Sequence, residues 1–466
     1  MSVQIFVEGK IVAREDFLRV DAPSGGFPGR QEMIGRHLYL SLAGEVLGRA
    51  LLDTLGLSHM LLGASSGEGF LVLLAEEARP TAEEFLRRAN QGLAELSDGQ
   101  LELHWAITEN LGDWSVVRKR LFEEMQHNAG TRATADAFLP FPANNASPAA
   151  AYFQSLGEAA PNATALSLDL ASPAHFQFAA MKAETAKTYS LGYQPDHLPW
   201  LPYLDLNSLD RRHAAALSIG VDSLDMRLRR AATVEDYLRL VHLYKNFFAG
   251  ELQSLLMRLP DTGGKIAILD SGIDGFTVYG DLESLLKVAL EMQRVFATMT
   301  DVALREDAGA EGKTLSAALV AGTETEALGE AKGALALAQA TRRDSFYAFG
   351  RVLDWKQLLD ALEIRSLCLK MVASHGAGPQ FVADLSAFLR EGAYQSLRRK
   401  TGRFEKPWRL YRRMNLALET DRVTKESEKT KRKLLLEIIG KNAGQARLRP
   451  AGRVGLELAR VSLGKH

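Results

Sequence analysis

The stretch LDSGIDGFTVYG places one carboxylate inside a glycine-rich turn between two apolar runs. Asp274 stands between Gly272 and Gly275, and a second carboxylate, Asp222, follows the earlier apolar run ALSIGV. Two magnesium ions that hold a triphosphate need several carboxylates at the end of a sheet, because magnesium prefers hard oxygen ligands in octahedral geometry. The glycines would permit a tight bend or a close approach of phosphate. Asp222 and Asp274 are therefore candidate metal ligands, although Ser-Gly-x-Asp-Gly is also the sequence of an ordinary turn.

A second candidate is the basic segment LRRKTGRFEKPWRLYRRM, which interleaves cations with aromatic residues. Cations neutralise phosphates, and aromatic rings stack on unpaired bases. The pattern predicts binding of nucleic acid or of an acidic protein partner. The alternative is a solvated helix face whose aromatic side chains point into the core. The cations are Arg398, Arg399, Lys400, Arg403, Lys406, Arg409, Arg412 and Arg413.

Charge is distributed unevenly along the chain. Residues 396–466 hold 20 Lys and Arg against 7 Asp and Glu, whereas the other residues hold 36 against 50. Such an asymmetry indicates a tail that meets a polyanion or an acidic partner. The lone cysteine, Cys368, excludes an intramolecular disulfide and a cysteine-based zinc site. With no apolar run of membrane-spanning length and an early-charged N-terminus, the composition predicts a cytoplasmic chain without a membrane contact.

The elements that must position these residues fall into four regions of a 466-residue chain. Changes between periods of 2 and 3.6 predict the order βαββαβ plus a helix for residues 1–128. Residues 211–355 repeat this order, with Thr233 and Asp236 forming a capping box and with SFYAFGRV as the last strand. Residues 129–210 are predicted as a connector or small domain with one helix and one strand, and residues 356–466 as a basic helical domain. The fold class is α+β.

In this order the pieces resemble the large subunit of type III CRISPR RNA-guided effector complexes. MIGRHLYLSLAGEVLGRALLDTLGLSHMLLGASSGEGFLVLLAEE resembles the family's first palm, and ALSIGVDSLDMRLRR with YLRLVHLYKNFFAGELQSLL resembles the start of the second. KPWRLYRRMNLALE and LRPAGRVGLELARVSL resemble its C-terminal helical domain. The resemblance implies two ferredoxin-like, cyclase-like palm domains, at 1–128 and 211–355.

The hairpin departs from the family's Gly-Gly-Asp-Asp pattern. Gly272 and Asp274 keep the first glycine and the first aspartate, while Ile273 and Gly275 replace the second glycine and the second aspartate. On the first strand the leading family aspartate falls on Gly220, and the next falls on Asp222. The chain also contains no His-Asp dipeptide of the family's nuclease domain and no paired zinc cysteines. The resemblance therefore implies a reduced version with a degenerate palm hairpin at residues 272–275.

From this resemblance we expect a non-catalytic structural subunit, a pseudoenzyme of an antiviral ribonucleoprotein without a cofactor. The implied partners are guide RNA, target RNA, the subunit that grips the 5′ handle of the guide, and small helical subunits. One alternative is a residual nucleotidyl cyclase that makes cyclic oligoadenylate with Mg²⁺ and ATP through Asp222 and Asp274. Another is a palm cleft that senses ATP without turnover.

Overall fold

The computed structural model describes residues 3–13, 15–18, 30–130, 148–159, 165–168, 178–181, 188–189, 214–259, 265–386, 424–439 and 449–464. The chain divides into two compact units, each built from separate stretches of sequence. Unit 1 comprises Met1–Ser208, Ser223–Tyr279 and Glu291–Lys313. Unit 2 comprises Leu209–Asp222, Gly280–Leu290 and Thr314–His466.

The strands are β1 (Gln4–Ala13), β2 (Leu62–Ser66), β3 (Gly69–Ala75), β4 (Leu101–Glu109), β5 (Ala165–Leu168), β6 (Phe178–Met181), β7 (Thr188–Tyr189), β8 (Ala214–Val221), β9 (Ile266–Ser271), β10 (Gly275–Asp281), β11 (Leu315–Ala321), β12 (Ser345–Ala348) and β13 (Arg351–Asp354).

The helices are α1 (Glu15–Leu18), α2 (Arg30–Thr54), α3 (Arg79–Leu96), α4 (Trp114–Gly130), α5 (Pro148–Ala159), α6 (Leu224–Arg229), α7 (Val234–Asn246), α8 (Leu252–Arg258), α9 (Leu282–Ala303), α10 (Glu324–Thr341), α11 (Trp355–His375), α12 (Lys425–Ile439) and α13 (Pro450–Ser462).

The first sheet of unit 1 has the strand order β2-β3-β1-β4. β1 pairs antiparallel with β3 and with β4, so that Glu8 lies opposite Leu71 on one side and Ala106 on the other. Alternation along β1 sends Ile5 and Val7 to one face, where both are fully buried. The opposite face carries Phe6 and Glu8, and Trp114 of α4 covers it with its ring 5.3 Å from that of Phe6.

Helices α2 and α5 cross at unusually short range in unit 1. A Cβ atom added to Gly35 would lie 1.9 Å from the carbonyl oxygen of Phe153, and one added to Gly157 would lie 1.9 Å from that of Gln31. Only glycine at both positions permits this approach. The guanidinium of Arg36 then lies 4.8 Å from the ring centre of Phe17 and 5.1 Å from that of Phe153.

The later part of unit 1 begins with Ser223, in left-handed conformation with φ of 57°, and continues into α6. Thr233 caps α7 by accepting a hydrogen bond from the Asp236 amide, which is one of the two hydrogen bonds of the predicted capping box. A π-helical turn, Phe247–Glu251, joins α7 to α8. Its rings build an aromatic core, because Phe247 packs on Phe296 at 5.2 Å and Phe248 on Phe276 at 6.1 Å.

In unit 2 the strands follow the order β13, β12, β11 and β8. β11 is antiparallel to β8 and parallel to β12. The prediction of SFYAFGRV as one strand is wrong, because the chain reverses at Phe349 and Gly350 and gives the hairpin β12–β13. Both residues have positive φ, 49° and 73°, which is the backbone of a two-residue turn with matched strand twist.

Three helices complete unit 2. Asp354 and Gln357 form a capping box at the start of α11. α11, α12 and α13 share an apolar core that includes Cys368, Leu434 and Leu456. Nine residues of α13 are buried, among them Gly455, where an added Cβ would lie 2.6 Å from the Ala361 carbonyl oxygen. α13 is therefore buried on nearly all sides, unlike an amphipathic helix that exposes one face to solvent.

The α+β class is confirmed, since two mixed units of strands and helices are present. The predicted connector contains α5 and β5, the helix and strand expected there, together with β6 and β7 in a three-stranded sheet. The four domain boundaries and the ferredoxin-like assignment stay predictions.

Candidate functional site

The hairpin β9–β10 of unit 1 reverses through Ile273 and Asp274. The amide of Gly272 donates to the carbonyl oxygen of Gly275 at 2.8 Å, which closes the turn. Oδ1 of Asp274 lies 3.0 Å from the position that a Cβ at Gly272 would take. Glycine at 272 therefore leaves room for the Asp274 carboxylate to fold back over the turn. This turn supplies one carboxylate, where the resembled pattern has two.

The neighbouring carboxylate, Asp270, points to helix α2. Its Oδ2 lies 3.4 Å from Nδ1 of His37, whose side chain is buried. Asp270 is thereby engaged within unit 1 through a partner 233 positions earlier in the chain.

Asp222 lies at the end of β8 in unit 2 and is almost completely buried. Its Oδ1 accepts a hydrogen bond from the Ser316 hydroxyl at 2.7 Å. Its Oδ2 accepts from the Thr314 hydroxyl at 2.7 Å and from the Asp344 amide at 2.8 Å. The Asp222 amide in turn donates to the Thr314 carbonyl oxygen at 2.9 Å. Both carboxylate oxygens of Asp222 are therefore engaged by protein donors.

Thr314, Ser316 and Asp344 were not singled out from the sequence. They lie 92 to 122 positions after Asp222, and no local motif marks them. Asp344 has a positive φ of 54°. Burial and the nearby Asp222 carboxylate both raise the pKa of its side chain. The hydrogen bonds of this cluster tie β8 to β11 and to the start of β12.

Magnesium requires about six oxygen ligands at short, regular distances. In unit 2, Asp222 already accepts three hydrogen bonds from protein groups, and in unit 1 the hairpin turn carries the single carboxylate of Asp274. Within the described residues no group of three or more His, Cys, Asp or Glu side chains is placed to hold a metal ion. Neither carboxylate, with the donors described around it, supplies the ligands that magnesium needs, and the assignment of Asp222 and Asp274 as metal ligands stays a prediction.

The first hairpin, β2–β3, is sealed against α2. A Cβ at Gly67 would lie 2.5 Å from the Leu40 carbonyl oxygen, and one at Gly44 would lie 2.3 Å from that of Ser66. The amide of Gly44 donates to the Gly67 carbonyl oxygen at 3.0 Å. Backbone therefore touches backbone, and no space for a ligand exists between this turn and the helix.

A buried ionic network joins α2, β2 and α7 beside that turn. Lys245 donates to Glu45, and its Nζ also donates to the Ser65 carbonyl oxygen at 2.8 Å. Glu45 accepts further hydrogen bonds from Arg49 at 2.7 Å and from the Ser65 hydroxyl at 2.8 Å. Burial alone would raise the pKa of Glu45, but Lys245 and Arg49 outweigh it and hold the pKa below 4.5.

The predicted basic segment, Arg398 to Arg413, lies outside the described residues. Among the described helices, none has both the length and the apolar composition needed to cross a bilayer.

The fold has relatives among solved structures. No family model matches the sequence, and no curated protein matches it. A chain in a crystal structure of a Csm1-Csm4 cassette in complex with cA3 matches with a TM-score of 0.67. The match has 15% identity and covers 99% of this chain and 70% of that chain.

Two further structures agree. A chain of the Csm1-Csm4 subcomplex in the type III-A CRISPR-Csm interference complex matches with a TM-score of 0.66 and 16% identity, covering 100% of this chain and 70% of that one. The Csm1-Csm4 cassette in complex with one ATP gives the same values. At this identity the likeness establishes the shared fold.

Proposed function

We propose that the chain is a non-catalytic large subunit of a type III CRISPR-Cas ribonucleoprotein effector. The fold likeness supports this, because it extends over the whole chain and reaches a subcomplex of a type III-A effector. The strand order β2-β3-β1-β4 supports a ferredoxin-like first palm. In this role the chain would act in the cytoplasm, supporting the guide RNA 5′ handle and the target RNA and contacting the handle-binding and small helical subunits.

The observation that carries the non-catalytic part is the state of the palm carboxylates. Three protein donors occupy both oxygens of Asp222, and the hairpin turn offers Asp274 alone. Losing carboxylates removes much of the negative charge that holds two metal ions against a triphosphate. The remaining carboxylates suit a palm domain that retains its fold but does not bind the two metal ions of catalysis.

The test is co-purification. The chain is expressed with its neighbouring genes, and the tagged complex is analysed for protein subunits and for bound RNA. Guide RNA and sibling effector subunits should be recovered with the chain. A free monomer without RNA under these conditions would refute the assignment.

A second candidate is a residual nucleotide function of the same palm. It is favoured by the solved structures of similar fold, which include cassettes in complex with ATP, AMPPNP and cA4. The assembled complex is incubated with ATP, target RNA and magnesium or manganese. A target-dependent cyclic oligoadenylate that disappears in Asp274→Ala would replace the non-catalytic proposal. Heat of ATP binding in calorimetry without product would identify a sensor.

A further inference from the structure

Helix α12 in unit 2 carries cations along the centre of its exposed face. Its buried side is formed by Ser427, Thr430, Leu434, Leu435 and Ile438. With about 100° of rotation per residue, the opposite direction contains Lys425, Lys429 and Arg432. All three are exposed. We name these three residues the cationic crest.

Acidic residues of α12 flank the crest. Glu426 and Glu428 point about 80° to either side of its centre line. Lys433, the next cation along the helix, pairs with Glu363 of α11. Among the described residues no ion pair involves Lys425, Lys429 or Arg432. The positive charge of the crest is therefore not neutralised by the described residues and is available to bind an external anion.

The spacing of the crest suits a linear polyanion. Lys425 to Lys429 rises about 6 Å along the axis, and Lys429 to Arg432 rises about 4.5 Å. Protein–protein interfaces are depleted in lysine and enriched in aromatic residues, whereas sequence-independent nucleic-acid contacts use Lys and Arg on phosphates. Two of three crest residues are lysines, and residues 396–466 around them carry 20 cations against 7 acids.

We infer that the cationic crest binds successive phosphates of a nucleic-acid strand that lies along α12. The contact involves charge alone, since no aromatic side chain belongs to the crest, and it is therefore independent of base sequence. That the strand is RNA rests on the proposed function.

The test is the salt dependence of binding by the full-length chain. The probe is a 20-nucleotide oligouridylate, and affinity is measured by fluorescence anisotropy between 50 and 200 mM salt. The crest variant combines Lys425→Gln, Lys429→Gln and Arg432→Gln. The control combines Arg87→Gln, Lys119→Gln and Arg294→Gln, three exposed cations that each pair with an acid on their own helix. Both variants lose three positive charges.

Each phosphate contact on a single strand contributes about −0.7 to the slope of log K against log salt. Removing three contacts should reduce the slope by about 2, so that the wild type loses about 20-fold more affinity than the crest variant over this range. The control should keep the wild-type slope. Thermal unfolding of all three proteins verifies that the variants fold.

Three results would overturn the inference. These are a wild type that does not bind the probe at 50 mM salt, equal slopes for wild type and crest variant, and an equal loss in the control. If the crest variant instead loses binding to an immobilised polyglutamate peptide and keeps its RNA slope, the crest serves an acidic protein. The proposed function fails separately, since recovery of guide RNA with the complex does not depend on the slope.

Discussion

Replacing Lys245 with methionine should destabilise unit 1 by leaving a buried carboxylate short of a partner. The side chain of Glu45 is only 5% exposed and that of Lys245 only 16%. Lys245 also donates to the Ser65 carbonyl oxygen of β2, an edge strand, and Nε2 of His242 lies 3.1 Å from the Gly63 carbonyl oxygen of the same strand. The substitution therefore removes a charge partner and uncovers part of a sheet edge.

Breaking a buried ion pair from one side costs about 3–5 kcal/mol. Arg49 and the Ser65 hydroxyl still bond Glu45, so we expect the lower end, about 3 kcal/mol. For a unit of this size, an unfolding entropy of about 2.1 cal/mol/K per residue converts this loss to a fall of about 5 °C in the unfolding midpoint.

The sign of the pH dependence follows from the pKa of Glu45, which is held below 4.5 in the folded chain. A carboxylate with a depressed pKa contributes stability above its unfolded pKa and loses it as the pH falls through the folded value. The difference between wild type and Lys245→Met should therefore be full at pH 7 and should shrink below pH 4.5.

The assay combines thermal unfolding with hydrogen exchange, so that faster exchange in β2 and α7 locates the loss. Lys119→Met is the matched control, because Lys119 pairs with Glu123 at the surface and should change stability by less than about 0.5 kcal/mol. The double variant Lys245→Met with Glu45→Gln should recover part of the loss, since it removes both charges. Equal midpoints for Lys245→Met and the control would refute the reasoning.

Four further outcomes are expected. Gly157→Ala should cost about 1–3 kcal/mol by forcing α5 away from α2, measured as earlier thermal unfolding and easier proteolysis within α5. Burial raises the pKa of Glu8, so wild-type stability should fall as the pH rises above 4.5, whereas Glu8→Gln should show no such fall in denaturation at pH 5 and pH 8. Asp222→Asn turns an acceptor into a donor facing other donors and should cost about 2–3 kcal/mol, measured as loss of protection in β11. Phe349→Asn suits the turn conformation better and should raise the free energy of unfolding by about 1 kcal/mol, measured as a higher unfolding midpoint. An unchanged midpoint would contradict the assignment of backbone strain to Phe349.

Much of the fold could be predicted because its signals are local. The segment MIGRHLYLSLAGEVLGRALLDTLG predicts a long helix, and α2 spans Arg30–Thr54. The hairpin β9–β10 was marked by apolar runs on both sides of a glycine-rich turn. The β12–β13 hairpin was missed because Phe-Gly is not a usual pair for a turn with two positive φ values, and Phe349 there is a strained choice.

The candidate site could be predicted only in part. Sequence spacing marks Asp222 and Asp274 as candidates, which stay untested, and it contains nothing about which groups the Asp222 carboxylate meets. Thr314 and Ser316 contact the Asp222 carboxylate only because β11 pairs with β8. That pairing joins strands far apart in the sequence, so no local pattern predicts it. The engagement of Asp270 by His37 likewise depends on α2 packing beside β9 in unit 1.

The enclosed position of α13 has a consequence for how the chain is made. β8, which belongs to the same unit, leaves the ribosome more than 200 residues before α13 does. At about 5–20 residues per second, β8 waits roughly 10–45 s for the helix that completes the core of its unit. In the last part of that interval α11 has been made and its apolar surface is still uncovered, so nascent unit 2 is the part of the chain expected to engage chaperones.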